Sequence, residues 1–275
     1  MTMTSYFLHD WLDSPDGYSS VGSSSSPRRS SPDREDVHVL REKLEIPSCN
    51  GVIKRPRVDE ALRKSLSQFP ATLVSGRTGT GKTTIAADFA RSQVHAAWYS
   101  VESSDVEWNV FAHYFASTVL GAAKSEAAVS DLLPDEIHAS QSGIAAFLVN
   151  VFAATETELL HERLLIVLDG IHHIFDAPWF GEFFSLLLLS LPENTNLLLL
   201  CRSRPPSPLW RLRSKQQLNV IDEKLLAFNL DETVELMKQA ALNRDEAERA
   251  HADTFGRISS LIEFVRAKKA GPARA

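Results

Sequence analysis

The sequence predicts a three-layer α/β fold: a mostly parallel sheet covered by helices on both faces, followed by a small helical subdomain. Three observations carry this. Short apolar runs alternate along the chain with stretches of helical composition. A glycine-rich loop, Gly76 to Thr84, joins the first run to the helix after it. A second run, Leu164-Leu165-Ile166-Val167-Leu168, ends in Asp169, as a central parallel strand does when it carries an acid at its carboxyl end.

The bulk properties bound the class. The chain has 275 residues, enough for one large domain or two small ones, with 44% hydrophobic and 23% charged residues, as in soluble globular proteins. Its formal net charge of −6 excludes a global basic footprint for nucleic acid and leaves only a local patch open. The two cysteines, Cys49 and Cys201, are far apart and lack metal spacing, which suits a reducing cytosol. The N-terminus lacks a basic-then-apolar leader, and the most apolar region, Phe183 to Cys201, is broken by Pro192 to Asn196, so no membrane span is expected.

Residues 1–36 are expected to be a disordered tail. Ser19 to Ser31 is serine-rich, with two Ser-Pro steps and Arg28-Arg29, and buries too little apolar surface to offset its ordering entropy. From Val37 the chain turns apolar up to Leu44, and Ile46-Pro47 ends that stretch. Val58, Leu62 and Leu66 recur at helical spacing and predict an amphipathic helix ending near Phe69-Pro70.

Ala71 to Ser75 is the first core strand. Gly76-Arg77-Thr78-Gly79-Thr80-Gly81-Lys82-Thr83 then fits the phosphate-binding loop of nucleoside triphosphatases, and Ile85 to Arg91 reads as its helix. Glycines let the backbone wrap an anion, so that successive N–H groups and the helix N-terminus face the phosphates. In such a loop Lys82 reaches the β- and γ-phosphates and the Thr83 hydroxyl ligates Mg²⁺, while Gly76, Arg77, Thr78, Gly79, Thr80, Gly81 and Thr84 complete the cradle. The expected fold is therefore a three-layer P-loop NTPase.

Ala96 to Val101 is a second strand, and Val106 to Ala123 a helix with a buried Val110, Phe111, Tyr114, Phe115 and Val119 face. Ser125 to Ser140 is an acidic surface connection and Ile144 to Leu160 another helix. After the third strand, Asp169 reads as the Mg²⁺-holding acid, its alternative being a cap for the following turn. His172-His173 reads by default as core or surface histidine. Phe180 to Leu189 is an apolar helix and Leu197 to Cys201 a strand, with Arg202 at its carboxyl end. Position alone leaves Arg202 open between a γ-phosphate sensor and a surface arginine. Val220-Ile221 reads as an edge strand, Asp231 as the N-cap of a helix over Glu232 to Ala241, and Asp245 to Phe255 and Ser259 to Lys269 as two further helices. The division expected is a tail over 1–36, an α/β domain over 37–221 and a helical subdomain over 222–275.

From Val37 to Ala270 these residues resemble the nucleotide-binding domain of STAND signalling ATPases, in the branch of the maltose-activator and related LuxR-type bacterial regulators. The resemblance is carried by Lys43-Leu44, Pro47 and Arg55-Pro56-Arg57; by Ser75 to Thr84; by Ala97-Trp98-Tyr99-Ser100-Val101-Glu102; by Asp169-Gly170-Ile171-His172; and by Cys201-Arg202-Ser203 through Trp210-Arg211-Leu212-Arg213. It implies ATP or ADP between the α/β core and the helical piece, with Arg55 and Arg57 among the nucleotide contacts. It further implies Mg²⁺ near Thr83 and Asp169, and a catalytic set of Lys82, Asp169 and Arg202, with Arg202 as the sensor. ADP would hold a closed state and ATP an open, self-associating one.

Two departures bear on this. Gly170 stands where the family has a second acid, which should slow hydrolysis more than binding. Gly256-Arg257-Ile258 stands in place of Gly-Trp-Pro. Nothing after Ala270 matches the branch's winged-helix, tetratricopeptide-like or DNA-binding elements, so the expectation is a cytoplasmic switch module that works with partner proteins. Two other readings stay open: a nucleotide-binding scaffold without turnover, and an NTPase acting on nucleic acid through Arg202, Arg204, Arg211, Arg213 and Lys215.

Overall fold

A computed structural model describes residues 39–49, 53–133, 139–159 and 162–270. The tail expected over 1–36 lies outside the described residues. Five strands form one wholly parallel sheet: β1 (Ala71–Ser75), β2 (His95–Ser100), β3 (Leu164–Asp169), β4 (Thr195–Cys201) and β5 (Leu218–Ile221). Their order is β2-β3-β4-β1-β5. The chain leaves β1, jumps to the far edge at β2, returns through β3 and β4, and crosses β1 again to lay down β5. Such a reversal opens a crevice at the carboxyl ends of the strands around β1.

The alternation of side chains along each strand builds the layers. Leu73, Tyr99, Ile166, Leu168, Leu197 and Leu199 face one side, with Phe111, Phe115, Phe147 and Phe183 from the helices. Val74, Trp98, Leu165, Val167, Leu198 and Leu200 face the other, with Val58, Leu62, Ala86 and Ala87. Because the side-chain period of a strand is two, a run such as Leu164 to Leu168 needs apolar residues at every position to serve both faces.

The helices are α1 (Pro56–Gln68), α2 (Lys82–Arg91), α3 (Trp108–Ala123), α4 (Val129–Leu132), α5 (Gln141–Leu159), α6 (Phe180–Ser190), α7 (Ser207–Ser214), α8 (Glu223–Leu226), α9 (Leu230–Gln239), α10 (Arg244–Thr254) and α11 (Ile258–Ala270). In α1, Val58, Leu62 and Leu66 form the buried stripe. Pro56 opens the helix, where its missing N–H has no intrahelical partner to lose. Helices α9 to α11 gather a small core of their own from Phe228, Met237, Ala247, Ala250 and Leu261, joined by Ile53.

Several boundaries differ from expectation: β4 starts at Thr195 and β5 at Leu218, each two residues early, and α5 at Gln141, three residues early. The cap of α9 is Asn229, two residues before Asp231: its side chain accepts from the Glu232 N–H, and Glu232 reaches back to the Asn229 N–H at 3.1 Å. Asn243 and Glu246 form the same reciprocal box at α10. Either Asn229 or Asp231 can cap, but only Asn229 has a glutamate three residues on, at Glu232, so the box decides the start. Helix α3 starts at Trp108, two residues late, because Ser103–Val106 winds as a separate 3-10 turn.

Candidate functional site

The strand register places the site. Ser75 pairs with Cys201 and Asp169 with Leu200, so the ends of β1, β3 and β4 stand side by side at one level. The phosphate loop leaves β1 there, Asp169 closes β3, and Arg202 follows β4, which lies between them. Helix α2 begins at Lys82.

Lys82 is buried and turns back onto its own loop. Its Nζ donates to the carbonyl oxygens of Gly76 at 2.6 Å and Arg77 at 2.8 Å, and lies 3.3 Å from Thr80 Oγ1. Burial, then the nearby Arg202, lowers its pKa; Asp169 works in the opposite sense. The Thr83 hydroxyl donates to Asp169 Oδ2 at 2.7 Å, across 86 residues of sequence. Burial raises the Asp169 pKa, against the Thr83 hydrogen bond and the charges of Arg202 and Lys82. A hydroxyl and a carboxylate converge here on one point, hard oxygen donors of the kind Mg²⁺ takes alongside phosphate oxygens. Among the described residues no group of three or more His, Cys, Asp or Glu could hold a metal alone, so phosphate and water would have to complete the set.

A cleft of about 200 Å³ opens at this point, with Thr78, Gly79, Gly81, Lys82, Thr83, Thr84, Asp169 and Arg202 on its walls, joined by His172, Leu200 and Cys201. Most of the sequence-predicted residues thus meet in one place. Arg77 and Thr80 face a second cleft, of about 400 Å³, together with Glu223, Lys224 and residues 253–258. Gly76 lies against Glu223, whose Cβ is 2.9 Å from where a Cβ on Gly76 would sit. The structure does not bring Arg55 and Arg57 to the phosphate cleft. Arg55 donates to the Leu226 carbonyl at 2.6 Å and stacks over Phe228, while Arg57 donates to the carbonyls of Leu225 and Ala227 and pairs with Glu232. Both guanidinium groups tie the start of α1 to the end of α8 and the residue after it.

Sequence reasoning missed the groups that cover the loop from the C-terminal side. The Arg257 guanidinium donates to the Thr78 carbonyl at 2.8 Å, and the Ser259 N–H donates to the Gly79 carbonyl at 3.1 Å. A Cβ on Gly79 would sit 2.6 Å from Ser259 Cβ, so glycine is required both by this approach and by its φ of 78°. Glu223 accepts from the Arg77 N–H at 3.1 Å and pairs with the Arg77 guanidinium at 3.1 Å. The only sequence signal for any of these was the departure at Gly256-Arg257-Ile258.

By sequence His172 reads as a core or surface histidine and as the last residue of the Asp169-Gly170-Ile171-His172 resemblance. It sits in the 3-10 turn Ile171–Ile174 and faces the phosphate cleft. Its Nδ1 is buried without a hydrogen-bond partner among the described residues. Burial, helped by His173, Arg202 and Lys82, pushes its pKa down to about 4, so the ring is neutral at physiological pH.

The fold and this site define a P-loop NTPase of the α/β class. The chain matches the model of the AAA ATPase domain family over residues 55–200, more than half its length, and belongs to that family. In fold it is similar to a Walker-type ATPase of Pyrococcus abyssi (TM-score 0.55, 15% identity, 80% of this chain and 69% of that one). It is also similar to a structure describing katanin self-assembly (0.44, 18%, 90% and 84%) and to the Aeropyrum pernix Orc1 protein in complex with DNA (0.46, 17%, 80% and 59%). Among the described residues no helix is long and apolar enough to cross a membrane.

Proposed function

We propose that this chain is an ATP-binding, slowly ATP-hydrolysing switch domain of the STAND type, acting in the cytoplasm through nucleotide-dependent association with partner proteins or with itself. The observation that carries the nucleotide reading is the 2.7 Å hydrogen bond between Thr83 and Asp169 beneath a complete phosphate loop. That pair is where a Mg²⁺ ion would be held, directly or through water. Held by Thr83 and Asp169, Mg²⁺ would offset the negative charge of the phosphates. Lys82 would exchange the Gly76 and Arg77 carbonyls for phosphate oxygens, since a charged acceptor makes the stronger bond. Arg202, exposed just past the end of β4, would meet the terminal phosphate.

The switch reading is supported by how the loop is covered. We assign 37–221 as the nucleotide-binding domain and 222–275 as a helical subdomain. Arg257 and Ser259 of the latter hold carbonyls of the former's phosphate loop, so a nucleotide that reshapes the loop changes the contact. A ligand shifts such an equilibrium only by its difference in affinity for the two states. ATP and ADP should therefore change the exposure of 253–260 by different amounts, which amide hydrogen exchange with each nucleotide measures. Equal protection with ATP and ADP would contradict the switch.

Gly170 favours a second reading, a scaffold that binds nucleotide without turnover. Phosphate release by the wild type above that of Lys82→Ala separates the two. The reading as an NTPase acting on nucleic acid rests on Arg202, Arg204, Arg211, Arg213 and Lys215, all solvent-exposed. Its mark would be ATPase stimulation by DNA or RNA that falls steeply with salt.

A further inference from the structure

We propose that Arg57 and Glu232, with Arg55 beside them, form a latch that holds the cover of the phosphate loop in place and so sets how long a bound nucleotide stays. The assignment rests on the switch reading above and names the residues that govern it. The resemblance set both arginines among the nucleotide contacts; their geometry gives them another task. From the start of α1 they hold three successive carbonyls. Arg57 donates to Leu225 at 2.6 Å and to Ala227, and Arg55 donates to Leu226 at 2.6 Å. The buried Glu232 carboxylate accepts from Arg57 at 2.9 Å and lies 3.4 Å from Arg55 Nε. The same carboxylate accepts the Asn229 N–H at 3.1 Å in the capping box of α9. Two guanidinium groups and one carboxylate thus fix the chain from Leu225 to Glu232.

The cover hangs on this stretch. Phe228, whose ring lies 4.4 Å from the Arg55 guanidinium, donates its N–H to the Gly256 carbonyl at 2.8 Å. A Cβ on Gly256 would lie 2.0 Å from the Phe228 carbonyl oxygen, so the two backbones touch. Arg257 comes next and donates to the Thr78 carbonyl at 2.8 Å, and the Ser259 N–H donates to the Gly79 carbonyl at 3.1 Å. Every link from Arg57 to the loop is a hydrogen bond or a backbone contact.

Holding those two carbonyls has a consequence for the anion site. A trans peptide unit is planar, with its carbonyl and its N–H on opposite sides. The peptide that carries the Thr78 oxygen carries the Gly79 N–H, and the peptide that carries the Gly79 oxygen carries the Thr80 N–H. Pinning the oxygens therefore fixes where these two N–H groups point. A phosphate loop binds through the direction of such groups, and a loop fixed beforehand has less ordering to lose on binding. With the latch broken, 253–260 loosens, the loop loses its fixed aim, and nucleotide leaves sooner.

The test uses Arg57→Met, which frees the two carbonyls and Glu232, and Arg57→Lys, which keeps the charge but lacks the planar fork that holds several acceptors at once. Phe183→Ala, altered in the core between α3 and α6, is the control for general loss of stability. Two quantities are read: release of a fluorescent ADP chased by excess ADP, and amide hydrogen exchange over 253–260 in nucleotide-free protein. Melting temperature checks folding. Arg57→Met should release ADP about tenfold faster or more and associate within about twofold of wild type, since variants of one site differ mostly in dissociation. Its 253–260 segment should exchange faster without nucleotide, and Arg57→Lys should fall between it and wild type on both counts. Phe183→Ala should melt lower and still release ADP at close to the wild-type rate, which a purely structural role for Arg57 would not separate from Arg57→Met. Should Arg57→Met not fold, Glu232→Gln takes its place with the same direction expected. Wild-type release from Arg57→Met would overturn the latch. So would faster release with exchange over 253–260 unchanged, the mark of an arginine that touches nucleotide directly. Failure of the switch reading shows elsewhere, as equal protection of 253–260 by ATP and ADP in the wild type.

Discussion

Thr83 and Asp169 show how far single residues could be read from the chain. Each was placed by its neighbours in sequence, Thr83 by the glycines before it and Asp169 by the five apolar residues before it, and the fold brings their oxygens to 2.7 Å. Glu223 had no such local mark and Arg257 only the departure at Gly256-Arg257-Ile258, because what singles them out is a partner supplied by another element. Arg55 and Arg57 are the opposite case: a motif set them near nucleotide, and the fold ties them to the carbonyls of 225–227. Asp169→Asn keeps a side-chain acceptor for Thr83 but removes the charge. Binding of ATP in EDTA should stay within about threefold of wild type, and the gain from added Mg²⁺ should disappear, since a neutral amide oxygen is a poor substitute for carboxylate on a hard cation. Titration of a fluorescent nucleotide with and without Mg²⁺ checks this; an undiminished Mg²⁺ effect would remove Asp169 from the metal site.

At the scale of elements, strands and apolar helices were legible because burial on two faces leaves a continuous apolar run and burial on one leaves a stripe. Caps and short turns were not, since residues two apart compete for the same role, as Asn229 and Asp231 do. Phe183 of α6 is fully buried among Phe111, Phe115 and Trp108. Phe183→Ala should lower unfolding free energy by about 3–5 kcal/mol through lost burial and the cavity left behind. Chemical denaturation reads this, and a loss under about 1 kcal/mol would mean the core collapses around the gap.

The lead-in before α1 is held differently. Lys43 Nζ pairs with the fully buried Asp105 at 2.7 Å and with Glu102 at 2.9 Å, beside the Tyr114 ring. Burial alone would lower the Lys43 pKa, but its hydrogen bonds to Asp105 and Glu102 outweigh that and raise it. A lysine whose pKa rises on folding adds stability that is fully present below its unfolded value, near 10.5, and is lost as pH rises through the folded one. Stability of the wild type should therefore fall above about pH 10.5 more steeply than that of Lys43→Met. At neutral pH Lys43→Met should cost about 3 kcal/mol by leaving Asp105 buried without its cation. Denaturant melts at pH 7 and pH 11 test both, and parallel pH profiles would contradict the pairing.

For the molecule as a whole, the sheet order gathers the ends of β1, β3 and β4, and the residues after β5 return to cover the loop. No local pattern announces that return: the contacts of Thr78 with Arg257 and of Gly79 with Ser259 span 179 and 180 residues. A ligand that binds only the folded state stabilises it by mass action, about 2.7 kcal/mol at a hundred times its dissociation constant. Mg-ATP at that excess should raise the melting temperature by several degrees, and Lys82→Ala should lose the rise.

The measurement that tests the central claim most directly is nucleotide binding and phosphate release on purified protein, wild type beside Lys82→Ala and Asp169→Ala. The account predicts that Mg-ATP binds the wild type, that phosphate is released slowly, and that both variants lose the release. Folded wild-type protein that binds neither ATP nor ADP would contradict the reading of Gly76 to Thr84 as a working phosphate site.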